Sequence, residues 1–141
     1  MENYFEVTVK FEKIVESGEI KKVRETYLVD ALSFTESEAR IIEEIKPFVS
    51  GVFIVGNIRR ARIAELFDNP SGDKWYRAKV NFISLDEEKG VEKKTAVTMM
   101  VQATDTKEAD KYLREKLSTT LSDWEISSIT ETKIVDVLHP I

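Results

Sequence analysis

The chain has 141 residues, of which 42% are hydrophobic and 33% are charged, a composition typical of a soluble globular protein and not of a disordered one. Its net charge of −5 gives no general attraction to phosphate backbones or anionic membranes. The chain contains no cysteine, no long apolar segment and no signal-like N-terminus, so it predicts a cytoplasmic protein without disulfides, thiolate metal sites or a membrane span.

The N-terminal segment predicts a β-hairpin. Residues 4–14 alternate apolar with polar side chains, which is the period-two pattern of a half-buried strand. A polar turn at 16–19 contains Gly18, and the stretch "IKKVRETYLVDA" returns as the second strand.

A capped helix and an extended stretch follow this hairpin. Thr35 and Glu38 have the spacing of a capping box, in which a side-chain acceptor and a returning carboxylate satisfy amide groups at the helix start. Pro47 limits the helix at its end because proline lacks an amide hydrogen. Residues 52–67 are rich in β-branched side chains and predict a strand that bends at Gly56. The apolar face of the helix is predicted to comprise Ala39, Ile41, Ile42 and Ile45.

The second half of the chain repeats this order. Apolar and polar side chains alternate again from Trp75, a polar turn lies at 86–90, and a return strand leads to a second capping box at Asp105 and Glu108. Residues 124–138 form the next extended stretch. The apolar face of the second helix is predicted to comprise Ala109, Tyr112, Leu113 and Leu117.

These matched segments predict an internal duplication. A shift of 71 residues (75 − 4 = 71) places "WYRAKVNF" on "YFEVTVKF", and apolar positions also agree near the end of each half. We therefore predict an α+β fold of tandem duplicated ββαβ units, with antiparallel sheets, one helix per unit and a pseudo-two-fold relation. The predicted units are 1–67 and 74–141, joined by the linker "DNPSGD" at 68–73 within one compact domain.

The sequence predicts no catalytic residue, cofactor or metal site. Its single histidine, His139, lies close to the C-terminus, and no second histidine or glycine-flanked serine is present to build a hydrolase triad. The five glycines are isolated and form no phosphate-binding loop. The acidic run at 86–88 is interpreted as a solvated turn because no further ligands stand at fixed spacing from it.

Two basic groups with nearby aromatic residues suggest a binding surface. An exposed ring beside cations on a sheet is typical of proteins that bind single-stranded nucleic acid, through base stacking and backbone contacts. The alternative interpretation is structural: the tryptophan covers a sheet edge or the other unit, and the charges keep an edge strand soluble. The predicted contacts are Trp75, Arg77, Lys79, Tyr4, Arg59, Arg60 and Arg62.

The stretches "YLVDALSFTESEARIIEEI", "FIVGNIRRARIAELF" and "KWYRAKVNF" resemble a family of small uncharacterised proteins from gut Bacteroidetes and their phages, including crAss-like phages. The resemblance covers nearly the whole chain, and "VDALSFTESEA" is its most specific part. It implies a role in phage replication or host takeover, and some phage relatives resemble single-stranded DNA-binding accessory proteins. It implies no catalytic residues.

We therefore expect a non-catalytic binding protein of phage or mobile-element type, with single-stranded nucleic acid as its ligand. One alternative is a protein-partner module or host-factor inhibitor that uses an exposed sheet edge or an apolar patch. Another is a protein that sequesters a small molecule or nucleotide in a pocket. Exposed edge strands would also permit a homodimer.

Overall fold

A computed structural model of the protein describes residues 3–139 and has the predicted α+β class. Within those residues it contains two helices and two four-stranded sheets, and neither helix is long and apolar enough to cross a membrane. The elements, in chain order, are β1 (Tyr4–Ile14), β2 (Ile20–Asp30), α1 (Phe34–Ile45), β3 (Phe53–Ala61), β4 (Glu65–Phe67), β5 (Lys74–Asp86), β6 (Val91–Ala103), α2 (Thr106–Leu117), β7 (Asp123–Glu131) and β8 (Ile134–Leu138).

Sheet 1 has the strand order β3-β1-β2-β8. The hairpin β1–β2 is paired from Tyr4 opposite Asp30 to Ile14 opposite Ile20, and β3 lies antiparallel to β1 on its other side. The C-terminal strand β8 runs parallel to β2. The sheet is therefore mixed, and the prediction of a purely antiparallel sheet is wrong at this edge.

Sheet 2 has the strand order β4-β6-β5-β7. Strands β5 and β6 form the hairpin, β7 lies antiparallel to β5, and the short β4 runs parallel to β6. A parallel pair needs a longer connection than a hairpin turn, which explains why each parallel edge joins strands distant in sequence.

The chain divides into two compact units, Met1–Arg62 with Lys133–Ile141 and Ile63–Thr132. This division differs from a boundary at 68–73, because β4 pairs with β6 and β8 pairs with β2. The 68–73 segment lies inside the second unit and is tied to it: the Asn69 N–H donates to Gln102 Oε1 (3.0 Å), and the Tyr112 hydroxyl donates to the Asp68 carbonyl (2.8 Å). We call the two units unit 1 and unit 2.

The N-cap of α1 lies two residues before the predicted cap, Thr35. Ser33 is the N-cap, and its hydroxyl accepts a hydrogen bond from the Glu36 N–H (3.1 Å). Glu36 in turn accepts from the Leu32 N–H (3.3 Å). The predicted Thr35–Glu38 box is therefore wrong. The sequence offers two boxes of equal spacing, and the upstream one is used.

The predicted cap of α2 is confirmed. The Asp105 carboxylate accepts from the Glu108 N–H (2.7 Å), and the Glu108 carboxylate returns to accept from the Thr104 N–H (3.2 Å). A carboxylate at this position also interacts favourably with the positive end of the helix dipole.

Each helix buries one narrow stripe against its own sheet. The stripe of α1 consists of Ser37, Ile41 and Ile45, so the expectation that Ala39 faces the core is wrong; Ala39 is exposed. The Ser37 hydroxyl donates to the Phe34 carbonyl (2.7 Å), which satisfies its buried polar group. The stripe of α2 consists of Ala109, Leu113 and Leu117. The sheets contribute the rest of each core. Its buried members include Phe5, Val7, Val9, Tyr27 and Val29 in unit 1, and Tyr76, Ala78, Val80, Met99 and Val101 in unit 2.

Candidate functional site

The two predicted stacking rings are buried. Trp75 and Tyr4 each stand at a strand start and expose only 3% of their surface. The Trp75 carbonyl accepts hydrogen bonds from the N–H (2.9 Å) and the hydroxyl (2.8 Å) of Thr132. The prediction that Trp75 presents an exposed ring is therefore wrong, and the burial fits the alternative structural interpretation.

The predicted basic residues fall into two sets on different units. Arg77 and Lys79 lie on β5 of unit 2, where Arg77 is half-buried and Lys79 is exposed. Arg59, Arg60 and Arg62 are exposed, on or just after β3 of unit 1.

Two of the three arginines, Arg59 and Arg60, contact side chains of the neighbouring strand β1. Arg59 donates from Nη2 (2.6 Å) and Nε (2.9 Å) to one oxygen of Glu6, whose side chain is nearly buried. The Arg60 guanidinium lies 5.4 Å from the centroid of the Phe5 ring. These contacts fix the arginines on the edge strand while leaving much of each side chain in water.

Unit 1 exposes a group of large apolar side chains at the far end of its hairpin. Ile14 and Ile20 form the last pair of β1 and β2, and the remaining members lie in or after the α1–β3 connection. Phe48 exposes 82% and Val52 86% of its surface. Contiguous exposed apolar groups are uncommon on monomers and often mark interaction sites. We define the unit 1 apolar patch as Ile14, Ile20, Phe48, Val52 and Ile54.

A cavity of about 510 Å³ opens at this patch on the helix side of sheet 1. Phe11, Tyr27 and Ile45 line its inner part, and patch members Ile14, Ile20 and Phe48 line it too. The volume lies within the range of ligand pockets in proteins. We call it the helix-side cavity.

The helix-side cavity contains a hydrogen-bonded polar pair, and Glu12, Lys13 and Ser50 also line it. The Tyr27 hydroxyl donates to the Glu25 carboxylate at 2.5 Å. Burial raises the pKa of Tyr27 well above its ordinary value, and the hydrogen bond to Glu25 and the charges of Glu25 and Asp136 raise it further. Tyr27 is therefore a hydrogen-bond donor at neutral pH. Tyr27 lies six residues before the N-cap of α1, and the residue six before the N-cap of α2 is Met99. The polar pair is therefore a feature of unit 1.

A second cavity, of about 720 Å³, is lined by residues of the same hairpin end. Lys10, Lys22 and Arg24 line it with the patch members Val52 and Ile54. Side chains alternate between faces along a strand, which places these cations and Ile54 on the face of sheet 1 opposite the helix. We call it the cationic cavity.

The backbone of β1 has an unpaired stretch between the two cavities. Pairing of β1 with β3 ends where Phe11 stands opposite Phe53, whereas pairing with β2 continues to Ile14. Along Glu12–Ile14, the side of β1 that faces away from β2 therefore has no strand beside it within the described part of the chain. Glu12 and Ser50 line both cavities. An extended segment placed here would continue the line of β3 and have a cavity on each face.

The sequence-based prediction of binding residues missed this end of unit 1, although the sequence carries a signal. The segment "KPFVSGVF" has the proline, serine and glycine of a loop, yet it also contains large apolar side chains. Phe48 and Val52 continue the spacing of Ile41 and Ile45, but they lie after Pro47 and beyond the end of α1, where the helix no longer directs them to the core.

The remaining candidates for chemistry are sparse. His139 is exposed, and its carbonyl accepts a hydrogen bond from Arg40 Nη2 (2.6 Å). Among residues 3–139, no group of three or more histidine, aspartate or glutamate side chains is placed to hold a metal ion.

Comparison with known protein families identifies one match. The family described as "Domain of unknown function (DUF4494)" matches residues 3–140. The chain belongs to this family. No curated protein and no solved structure shows significant similarity to the chain. Membership in the DUF4494 family thus covers both units and assigns neither of them a function.

Proposed function

We propose that this protein is a non-catalytic binding protein that holds an extended, apolar segment of a protein partner at the hairpin end of unit 1. One observation carries the proposal: the unit 1 apolar patch surrounds an unpaired strand edge that has a cavity on each face. An exposed strand edge with unpaired backbone groups is the surface that β-augmentation uses.

The proposed mode of binding is strand addition beside Glu12–Ile14. Backbone hydrogen bonds to β1 would supply affinity, while alternate side chains of the partner would enter the helix-side cavity and the cationic cavity. Phe48 and Val52 would become buried. Full burial of a large apolar side chain contributes roughly 1.5–3 kcal/mol, so these two residues are the expected hot spots.

The resemblance of "YLVDALSFTESEARIIEEI" to proteins of Bacteroidetes and their phages supports a phage or mobile-element origin. A small non-catalytic protein with one apolar strand-binding site would suit the inhibition of a host factor in the cytoplasm. This part of the proposal rests on the resemblance, and the binding mode does not depend on it.

Single-stranded nucleic acid is the second candidate ligand, and the exposed cations near the end of β3 favour it. Arg59, Arg60 and Arg62 stand within four positions of one another, a density of positive charge suited to a phosphate backbone. Trp75 and Tyr4 are buried, so this binding would lack those two stacking rings. It would therefore rely on charge and weaken steeply with salt.

The proposal is tested by selecting peptides from a random displayed library on the purified full-length protein and measuring their affinity by fluorescence anisotropy. Phe48→Asp should weaken binding of the selected peptides by about tenfold or more, the equivalent of roughly 1.4 kcal/mol. Leu121→Asp is the matched control, because Leu121 is fully exposed in unit 2. Selected peptides that bind Phe48→Asp as well as the wild type would contradict the proposal.

A further inference from the structure

The cationic cavity contains two like charges directly opposite each other. Lys10 of β1 faces Arg24 of β2 across the hairpin, with the hydroxyl oxygens of Thr8 and Thr26, 3.4 Å apart, in the next pair on the same face. Like charges in directly opposed positions destabilise a sheet. The same hairpin also places Lys13 opposite Lys21, on the other face of the sheet.

One carboxylate, that of Glu12 opposite Lys22, lines the cavity beside these cations. Among the described residues, no carboxylate oxygen lies within 4.0 Å of the charged nitrogens of Lys10, Lys22 or Arg24. Arg24 and Lys22 are exposed, as is Lys10. In a chain of net charge −5, three cations beside one carboxylate are a local excess of positive charge.

In the corresponding part of sheet 2, the charged side chains are paired within the protein. Asn81 of β5 faces Ala96 of β6 and lies opposite Glu125 on the edge strand β7. Glu125 accepts from Asn81 Nδ2 (3.1 Å) and pairs with Lys94 Nζ (2.8 Å). These hydrogen bonds, with that to Lys94 the largest influence, hold the pKa of Glu125 below its ordinary value.

The edge strand of unit 1 supplies no such carboxylate. The residue of β3 that stands opposite Lys10 is Ile54, an exposed apolar side chain. Where unit 2 presents a carboxylate to its own cation, unit 1 presents an apolar surface beside two unpaired cations. A segment with both negative charge and apolar surface would complement this arrangement.

We propose that the partner segment is acidic on one face, with carboxylates that bind Lys10 and Arg24 in the cationic cavity while alternate apolar side chains fill the helix-side cavity. This inference rests on the proposed function and specifies its ligand: a β-strand in which Asp or Glu alternates with large apolar residues. Arg24 can bind a carboxylate through two parallel N–H···O bonds, and Lys10 adds a second charge.

The period-two alternation of strands makes these two requirements compatible. When a strand is added beside Glu12–Ile14, its odd and even side chains point to opposite faces of sheet 1. The helix side offers the rings of Phe11 and Phe48 together with Lys13 and Glu25. The other side offers three cations and Glu12. A strand shifted by one residue would put its carboxylates in the helix-side cavity, which is lined by two carboxylates and one lysine, so the charge pattern would favour one register.

The test uses the full-length protein and three fluorescein-labelled peptides with a soluble Gly-Ser tail. One alternates glutamate with valine and isoleucine, and the other two replace each glutamate by glutamine or by lysine. Anisotropy is measured at low and moderate salt. The protein variants are Lys10→Glu/Arg24→Glu, Phe48→Asp and the control Lys93→Glu/Lys111→Glu, which changes the net charge equally on exposed lysines of unit 2.

We expect the glutamate peptide to bind best and the lysine peptide not to bind. Lys10→Glu/Arg24→Glu should weaken the glutamate peptide by about tenfold or more, the equivalent of one charge-assisted hydrogen bond. Added salt should weaken it too, because the cations are exposed. The control variant should bind as the wild type does, and far-UV circular dichroism should show that all variants are folded.

Four results would overturn the inference in distinguishable ways. If the glutamate and glutamine peptides bind equally and only Phe48→Asp weakens them, the apolar site stands and the acidic partner is wrong. If none of the three peptides binds while library-selected peptides bind through Phe48, the alternating acidic strand is wrong. If the library-selected peptides do not depend on Phe48 either, the proposed function fails as well. If single-stranded oligothymidylate binds through Lys10 and Arg24 while no peptide competes with it, the ligand is nucleic acid.

Discussion

At the residue scale, Gly72 is held in a space that admits no side chain. Its N–H donates to the Asn69 carbonyl (2.8 Å), and its own carbonyl accepts from Gln102 Nε2 (3.1 Å). A Cβ atom at this position would lie 2.5 Å from the backbone nitrogen of Ala103. Because the obstacle is backbone, it cannot be relieved by a change of rotamer.

Gly72→Ala should therefore lower the free energy of unfolding by about 3 kcal/mol, the upper range for overpacking. Gly56→Ala is the control, since its Cβ would approach no closer than 3.3 Å, to the Thr8 carbonyl oxygen. Urea unfolding followed by circular dichroism measures both. Equal losses in the two variants would show that the close approach at Gly72 is absent in solution.

Tyr27 gives a second prediction at this scale, on the pH dependence of stability. Its pKa is raised in the folded state, so the folded protein holds the phenolic proton more tightly than the unfolded chain does. The stabilisation is present below the unfolded pKa of about 10 and is lost as the pH rises toward the folded value, with a slope of at most about 1.4 kcal/mol per pH unit. Above pH about 10, wild-type stability should fall more steeply than that of Tyr27→Phe in urea titrations. Parallel curves would contradict the raised pKa.

At the element scale, the short strands β4 and β8 determine which parts of the chain fold together. Strand β4 completes sheet 2 and β8 completes sheet 1, each by a parallel pair. A fragment of residues 63–132 contains all of sheet 2, whereas a fragment of 74–141 lacks β4. The first fragment should unfold at a higher urea concentration than the second, because the second leaves the edge of β6 unpaired and loses the packing of Phe67. The reverse order would contradict the role of β4.

The sequence pattern predicted the hairpins, the helices and the α+β class but not the partners of the last strands. Period-two alternation identifies a strand and its buried face, and it carries no information on which edge that strand joins. Ser33 and Thr35 show the same limit on a local scale, since both head a capping box and only packing selects between them. The apolar patch was missed because Phe48 and Val52 lie in a loop, where periodicity has no meaning.

At the scale of the whole molecule, the net charge of −5 and the buried Trp75 make one prediction for nucleic acid. Any binding to single-stranded DNA should be electrostatic, weakening strongly between low and moderate salt. DNA should not quench the emission of Trp75. Any change in tryptophan emission on adding DNA should therefore persist in Trp75→Phe. Anisotropy and emission titrations at two salt concentrations measure both effects. Salt-insensitive binding with quenching that depends on Trp75 would instead restore the stacking hypothesis.

The position of β8 at the end of the chain has a consequence for synthesis on the ribosome. Residues 63–132 emerge as a complete unit before β8 has been translated, so unit 2 has all its strands while the edge of β2 in unit 1 still lacks a neighbour. The half that is made first is therefore the half that is finished last. Until β8 has emerged, that open edge is a place where nascent chains can pair with one another, and a stop codon just before Ile134 would leave it open permanently.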